Sequence, residues 1–261
     1  MRSALEEVVL KFCTVVWITT VLMLTGPVNL LTYGAECDPI TVHYNERVPY
    51  LQTTGSGVVG LTADPATWAF NKAGLNFSWK KTSSKRQMKL LQDNQGCDCL
   101  VGWFKTPERL LFAKYSHAIY QDQPPIAIAR ADNDILQSDM SIVDVLSNKN
   151  QKLLLKDSYS YGAFLDKKIA QHHPSVVKAT GENVNMLKMI HRKHADYFFI
   201  APEELTPLIE LSGSPIEDFK LLRFPAMPSG EKRYILCSRR VEDAMMEKLN
   251  RAIDAYMNKD H

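Results

Sequence analysis

Cys97-Asp98-Cys99-Leu100-Val101-Gly102-Trp103-Phe104-Lys105-Thr106-Pro107-Glu108-Arg109 reads as a short apolar strand, an aromatic and basic turn, and a helix start. Thr106 carries the short hydroxyl of an N-cap, and Pro107 the fixed φ that suits the first helical position. Arg109 then falls in the first turn, at the end of the helix dipole that favours anions over cations. A guanidinium there adds a bidentate cation to outward-facing N–H groups, and together they form a receptor for a carboxylate or phosphate. The plainer alternative is a surface arginine paired with Glu108 or Asp98, a contact worth little in water.

Strand and helix signals alternate on both sides of this stretch. Ile40–Tyr44 is a strand followed by the polar loop 45–50, and Asp64, Pro65 and Gly74 punctuate a short helix. Residues 76–80 form a second strand, and a helix opened by Ser83 or Ser84 ends by Gly96. That order implies parallel strands with crossover helices, a doubly wound sheet. Residues 116–130 are extended and broken by Pro124-Pro125, and the composition changes at Asp132-Asn133-Asp134. The pattern then restarts: strands at 152–156, 176–179 and 197–200 alternate with helices at 163–172, from Asn183 and from Pro202. A strand at 234–237 and a helix over 241–257 close the chain, the helix turning Met245, Leu249, Ala252, Ile253 and Tyr256 to the core. The expected architecture is α/β with two lobes, each a mostly parallel sheet flanked by helices. Residues 36–128 and 225–261 form lobe 1, residues 129–224 form lobe 2, and a two-strand hinge joins them.

A chain of 261 residues accommodates two lobes of about 100 residues each. Its net charge of +2 comes from scattered Lys and Arg, without the basic stripe of a DNA or RNA binder, which argues against a nucleic-acid partner. The first 35 residues differ in kind. Lys11 precedes an apolar run over 12–24, Gly26-Pro27 breaks it, and Gly34-Ala35 precedes the polar Glu36. This is the layout of a secretory signal peptide despite the acidic Glu6 and Glu7, so a periplasmic protein is expected, with an uncleaved anchor as the alternative. Cleavage removes Cys13 and leaves Cys37, Cys97, Cys99 and Cys237, for which an oxidising compartment permits three connectivities. Cys97 and Cys99 are too close to pair comfortably with each other, so one bridge from this pair to Cys37 or Cys237 is expected. A zinc site is the weaker alternative, because no Cys-x-x-Cys spacing occurs.

No glycine-rich phosphate loop occurs, which argues against a nucleotide-dependent enzyme, and no cofactor is implied. His191 and His194 share a helix face but have no third ligand nearby, so no metal site is expected. Ser158-Tyr159-Ser160-Tyr161-Gly162 lies between a strand and a helix, where a nucleophile elbow would present Ser160. That elbow wants glycine where Ser158 stands, and only Asp196 with His194 or the terminal His261 would complete a triad. The same hydroxyls and N–H groups at a helix start make an anion clamp instead.

The Thr106-Pro107-Glu108-Arg109 helix start, the export signal and the two lobes together resemble the bacterial extracellular solute-binding proteins of family 3. These are periplasmic amino-acid-binding components of ABC transporters, and the resemblance spans residues 38–258. It implies a type II periplasmic binding fold that closes by hinge motion on a small carboxylate-bearing ligand, an amino acid or related organic acid, without enzymatic chemistry. It further implies a monomer whose listener is an ABC transporter permease or a membrane sensor. The rival classes are a dehydratase or hydrolase on the same scaffold, using Glu46, Ser160 or a histidine, and a ligand-sensing module for a membrane receptor. In the family the arginine of Thr-x-x-Arg clamps the ligand carboxylate, which maps onto Arg109. The Gly-Thr-Thr loop of the second lobe is matched by Ser158-Tyr159-Ser160. The aromatic residue before Ala-Pro-Phe is matched by the Arg47 of Arg47-Val48-Pro49-Tyr50, which brings Arg47 and Tyr50 to the site. Trp103, Tyr44 and Tyr159 are expected as apolar walls, with Ser158 and Ser160 as donors. Trp103-Phe104-Lys105 replaces a serine-bearing turn, which implies a more aromatic or more anionic ligand. The acidic partner of a ligand ammonium falls near Ala201, leaving Glu46, Glu203 or Glu204 as substitutes.

Overall fold

The computed structural model describes residues 37–258, so the expected signal segment, Cys13 and His261 lie outside the described residues. Two five-stranded sheets organise the chain. The first takes β1 (Ile40–Tyr44), β4 (Phe77–Lys81), β5 (Asp98–Phe104), β6 (Ala113–Gln121) and β12 (Lys232–Ser238), in the order β4-β1-β5-β12-β6. A small hairpin, β2 (Gln52–Thr54) with β3 (Gly57–Val59), stands beside it. The second takes β7 (Ile126–Arg130), β8 (Lys152–Lys156), β9 (Ser175–Ala179), β10 (Tyr197–Ile200) and β11 (Phe219–Leu222), in the order β11-β7-β10-β8-β9.

Both sheets are covered on their two faces, which is why strands such as β7 and β10 carry runs of consecutive apolar residues rather than an alternation. In β7 and β10, Ile126, Ile128, Phe198 and Ile200 join one core while Ala127, Ala129, Tyr197 and Phe199 join the opposite one. In the first sheet, Val101 packs with Phe70 of α1 (Ala63–Lys72) and with Leu249 and Ile253 of α8 (Asp243–Met257). Leu100 and Trp103 pack on the other side with Leu91 of α2 (Ser84–Asp93). Along α8 the buried positions are Met246, Leu249, Ala252 and Ile253, one residue along from the expected Met245. Tyr256 rests against Trp68, with ring centroids 5.3 Å apart.

Parallel pairing joins β1 to β4 and β5, and β8 to β9 and β10, as crossover helices require. The strands added at the lobe crossings run the other way: β12 is antiparallel to β5 and β6, and β7 is antiparallel to β10 and β11. All of β7 belongs to the second sheet, so a boundary at residue 128 would cut a strand whose every residue hydrogen-bonds into lobe 2. The outgoing crossing is therefore 122–125, and the return lies between β11 and β12. Asp122 N–H donates to the Glu231 carbonyl at 3.0 Å, tying the two crossings together. Gly230 is required there, since a Cβ would lie 2.1 Å from the Asp122 carbonyl oxygen.

Both members of the cysteine pair are bridged: Cys37 to Cys97, and Cys99 to Cys237. β5 lies between β1 and β12, so Cys97 sits beside the chain leading into β1, while Cys99 is directly opposite Cys237. All four sulfurs are thereby used, which removes the zinc alternative. No helix among the described residues is long and apolar enough to cross a membrane.

Candidate functional site

β5 ends at Phe104, and Thr106 opens the single turn α3 (Pro107–Leu110), its hydroxyl accepting from Arg109 N–H. One turn carries little dipole, so what defines Arg109 is where its side chain goes. It folds back over Trp103, 4.8 Å from the ring centroid, and Nη1 donates to the Phe104 carbonyl at 2.8 Å. Only 8% of the residue is exposed, and burial holds the guanidinium below its ordinary pKa. Among the described residues no carboxylate lies within ion-pair distance of it, neither Glu108 nor Asp98. A buried, charged donor with unmatched charge is costly to a fold that does not use it.

Arg109 faces a cleft between the lobes made of two adjoining chambers. Arg47, Phe104, Tyr159, Ser160 and Arg233 wall both chambers; Trp103, Tyr50 and Arg109 belong to the smaller. From lobe 2, Tyr159 reaches across: its ring lies 5.7 Å from that of Trp103, and its hydroxyl is 3.2 Å from Ser84 Oγ and 3.4 Å from Asn45 Nδ2. Burial alone would raise the phenol, but the charges of Arg47 and Lys156 outweigh it and bring Tyr159 below its ordinary value. α2 contributes Gln87, whose Oε1 accepts from Trp103 Nε1 at 3.0 Å and so fixes the indole plane.

Arg47 bridges the lobes. Its Nε and Nη2 donate to Glu204 Oε1 and Oε2, each at 2.7 Å, and Asn183 Nδ2 adds a donor to Oε1. Burial opposes both charges, yet the pairing prevails and holds Arg47 well above and Glu204 below their ordinary values. A second pair, Arg233 with Asp122, is equally bidentate at 2.6 Å and lies under the Tyr50 ring. Tyr50 donates its hydroxyl to Asp122 at 3.1 Å.

Three expected residues stand elsewhere. Tyr44 is buried in the first core, edge-on to Trp79 and bonded to Thr53 Oγ1, because alternation along β1 turns it away from the cleft. Glu46 accepts from Thr53 and Lys81 and lines only an outer groove. Ser158, exposed in the left-handed region at φ 63°, points its turn away from both chambers. Ser160 lines the cleft but donates to Asp166 and accepts from Gly162 N–H, with no histidine hydrogen-bonded to it among the described residues, so the nucleophile-elbow reading lacks its base. No group of three His, Cys, Asp or Glu among the described residues is placed to hold a metal ion.

Arg233, Asp122 and Lys156 were not singled out from the sequence. The available signal was a charge at the head of an apolar strand, Lys232-Arg233-Tyr234-Ile235-Leu236, and another beside the proline pair, but their partnership depends on strand order.

Residues 40–261 match the profile of the bacterial extracellular solute-binding proteins, family 3. The chain belongs to that family. Solved structures of the same fold include an ancestral arginine-binding protein bound to arginine, 18% identical, with a TM-score of 0.67 over 85% of this chain and 93% of that one. The arginine-, lysine-, histidine-binding protein ArtJ from Geobacillus stearothermophilus is 12% identical, with a TM-score of 0.68 over 85% and 90%. A structure concerned with glutathione import via GshT and the cystine ABC importer TcyBC of Streptococcus mutans is 13% identical, with a TM-score of 0.67 over 85% and 90%. No curated protein matches the sequence. At these identities the likeness shows that this solute-binding protein has the type II periplasmic binding fold.

Proposed function

We propose that this solute-binding protein captures a small carboxylate-bearing solute, an amino acid or related organic acid, between its lobes. No bond is made or broken; the closed form is what an ABC transporter permease or a membrane sensor reads, on the periplasmic side. Arg109 is the anion clamp, Trp103 and Tyr159 are the walls, and Ser160 supplies a hydroxyl from lobe 2. The observation that carries this reading is a guanidinium 8% exposed, facing an inter-lobe cleft, with no protein carboxylate opposite it among the described residues. Arg47 and Glu204 add a contact across the cleft that closure completes.

The test is a thermal-shift screen of amino acids, dicarboxylates and aromatic acids on the wild type and on Arg109→Ala. A carboxylate that raises Tm in the wild type and leaves the variant unmoved supports the reading; an equal shift in the variant refutes it. Recovery of the ligand unchanged, by mass spectrometry after prolonged incubation, separates capture from catalysis.

A further inference from the structure

We infer that the cleft is built for a carboxylic acid with an apolar tail and no α-ammonium group, a narrowing that rests on the capture reading above. Among the described residues, the cations facing the two chambers are Arg47, Arg109, Lys156 and Arg233. Three of them already oppose a protein carboxylate: Arg47 with Glu204, Lys156 with Glu182, Arg233 with Asp122. Arg109 alone of the four has none within ion-pair distance, so an anion docks there without breaking a salt bridge.

A ligand cation finds no matching seat. Asp122 gives both oxygens to Arg233 and one of them also to Tyr50. The Glu204 oxygens accept from Arg47, Asn183 and the Ala201 N–H. Glu203 accepts from Tyr120 and Gln123 through Oε1 at the crossing, its buried Oε2 has no hydrogen-bond partner, and it lines neither chamber. Glu231 is the remaining carboxylate on the walls, and it accepts the Ala163 N–H at 2.7 Å, in the first turn of α5 (Ala163–His172). The dipole of that helix already opposes its charge. Gly162, at φ 94°, makes room for it: a Cβ there would lie 2.4 Å from Glu231 Cγ. An ammonium shut in these chambers would lose its water and face four cations, while of the carboxylates on their walls Asp122 is paired with Arg233 and Glu231 is already held by the start of α5.

The space beyond Ser160 suits carbon. The larger chamber is walled by Phe164, Leu165, Phe199, Ile200, Pro125 and Pro228, and Ala201 offers only a methyl group at the end of β10. A ring or branched chain extending from a carboxylate at Arg109 would bury apolar surface there, where an ammonium beside the carboxylate would gain nothing.

Isothermal titration of the dialysed protein with pairs sharing a tail tests this: 3-phenylpropanoate against phenylalanine, and 4-methylpentanoate against leucine. The deaminated acid of at least one pair is expected to bind about tenfold or more tighter than its amino acid, and to lose binding in Arg109→Ala. An amino acid that binds as tightly as its deaminated partner overturns the narrowing while capture at Arg109 stands, and Glu231→Gln weakening that amino acid alone would locate its ammonium. If none of the four binds, yet the broader screen yields a carboxylate that needs Arg109, the apolar-tail assignment is wrong. Binding that is unchanged in Arg109→Ala overturns the capture reading and the narrowing together.

Discussion

Arg109 is an unusual arginine because the protein holds it in place without neutralising it. Its guanidinium lies over the Trp103 ring and one N–H is fixed by the Phe104 carbonyl, so the fork is held in place before any ligand arrives. Fixing the fork in advance lowers the entropy lost on binding. Lysine keeps the charge but not the fork, so Arg109→Lys is predicted to weaken carboxylate binding about tenfold or more in a titration, while leaving Tm of the unliganded protein within a few degrees. Gly230 is the opposite kind of residue, defined by what cannot be there. Gly230→Ala forces a methyl against the Asp122 carbonyl and is predicted to cost about 1–3 kcal/mol in urea unfolding. The place of Arg109 in the turn after β5 was legible because Thr106 and Pro107 mark a helix start beside it. Asp122 and Arg233 were not legible, since residues 111 positions apart meet only once β12 is inserted between β5 and β6.

The elements show the same division between local and long-range signals. Caps, prolines and glycines gave the helices and parallel strands of each lobe, because those marks act within one turn. Antiparallel β6, β7, β11 and β12 carry no such mark. Whether a strand joins one sheet or the other is decided by the crossings at 122–125 and before Lys232, and nothing within Ile126-Ala127-Ile128-Ala129 says which. Strand order also turned one expected disulfide into two. The Cys99–Cys237 bridge ties β5, which carries the Arg109 turn, to the strand returning from lobe 2 across 138 positions of sequence. Replacing both with alanine is predicted to lower stability by about 2–5 kcal/mol in denaturant unfolding, with the Arg109 site still able to bind in whatever fraction stays folded.

At the scale of the whole molecule, the lobes meet through Arg47 and Glu204, a bidentate pair across the cleft. Truncating one partner leaves the other charge enclosed without compensation, a loss of about 3–5 kcal/mol. Glu204→Gln is therefore predicted to shift the unliganded protein toward an open form, seen as a larger radius of gyration in small-angle scattering. The pair also sets a pH response. Glu204 is held below its ordinary value in the folded protein, so its contribution is complete above the ordinary glutamate value of about 4.3 and is lost as pH falls through the folded value. Acid should weaken closure in the wild type, and less so in Glu204→Gln.

The most direct measurement is a crystal structure of the protein with a carboxylic acid drawn from the screen. The account predicts the ligand carboxylate on Arg109, at about 2.7–2.9 Å from its guanidinium nitrogens, between Trp103 and Tyr159 with the lobes closed. A ligand carboxylate bound away from Arg109, or an Arg109 turned to a protein carboxylate in the bound form, would contradict it.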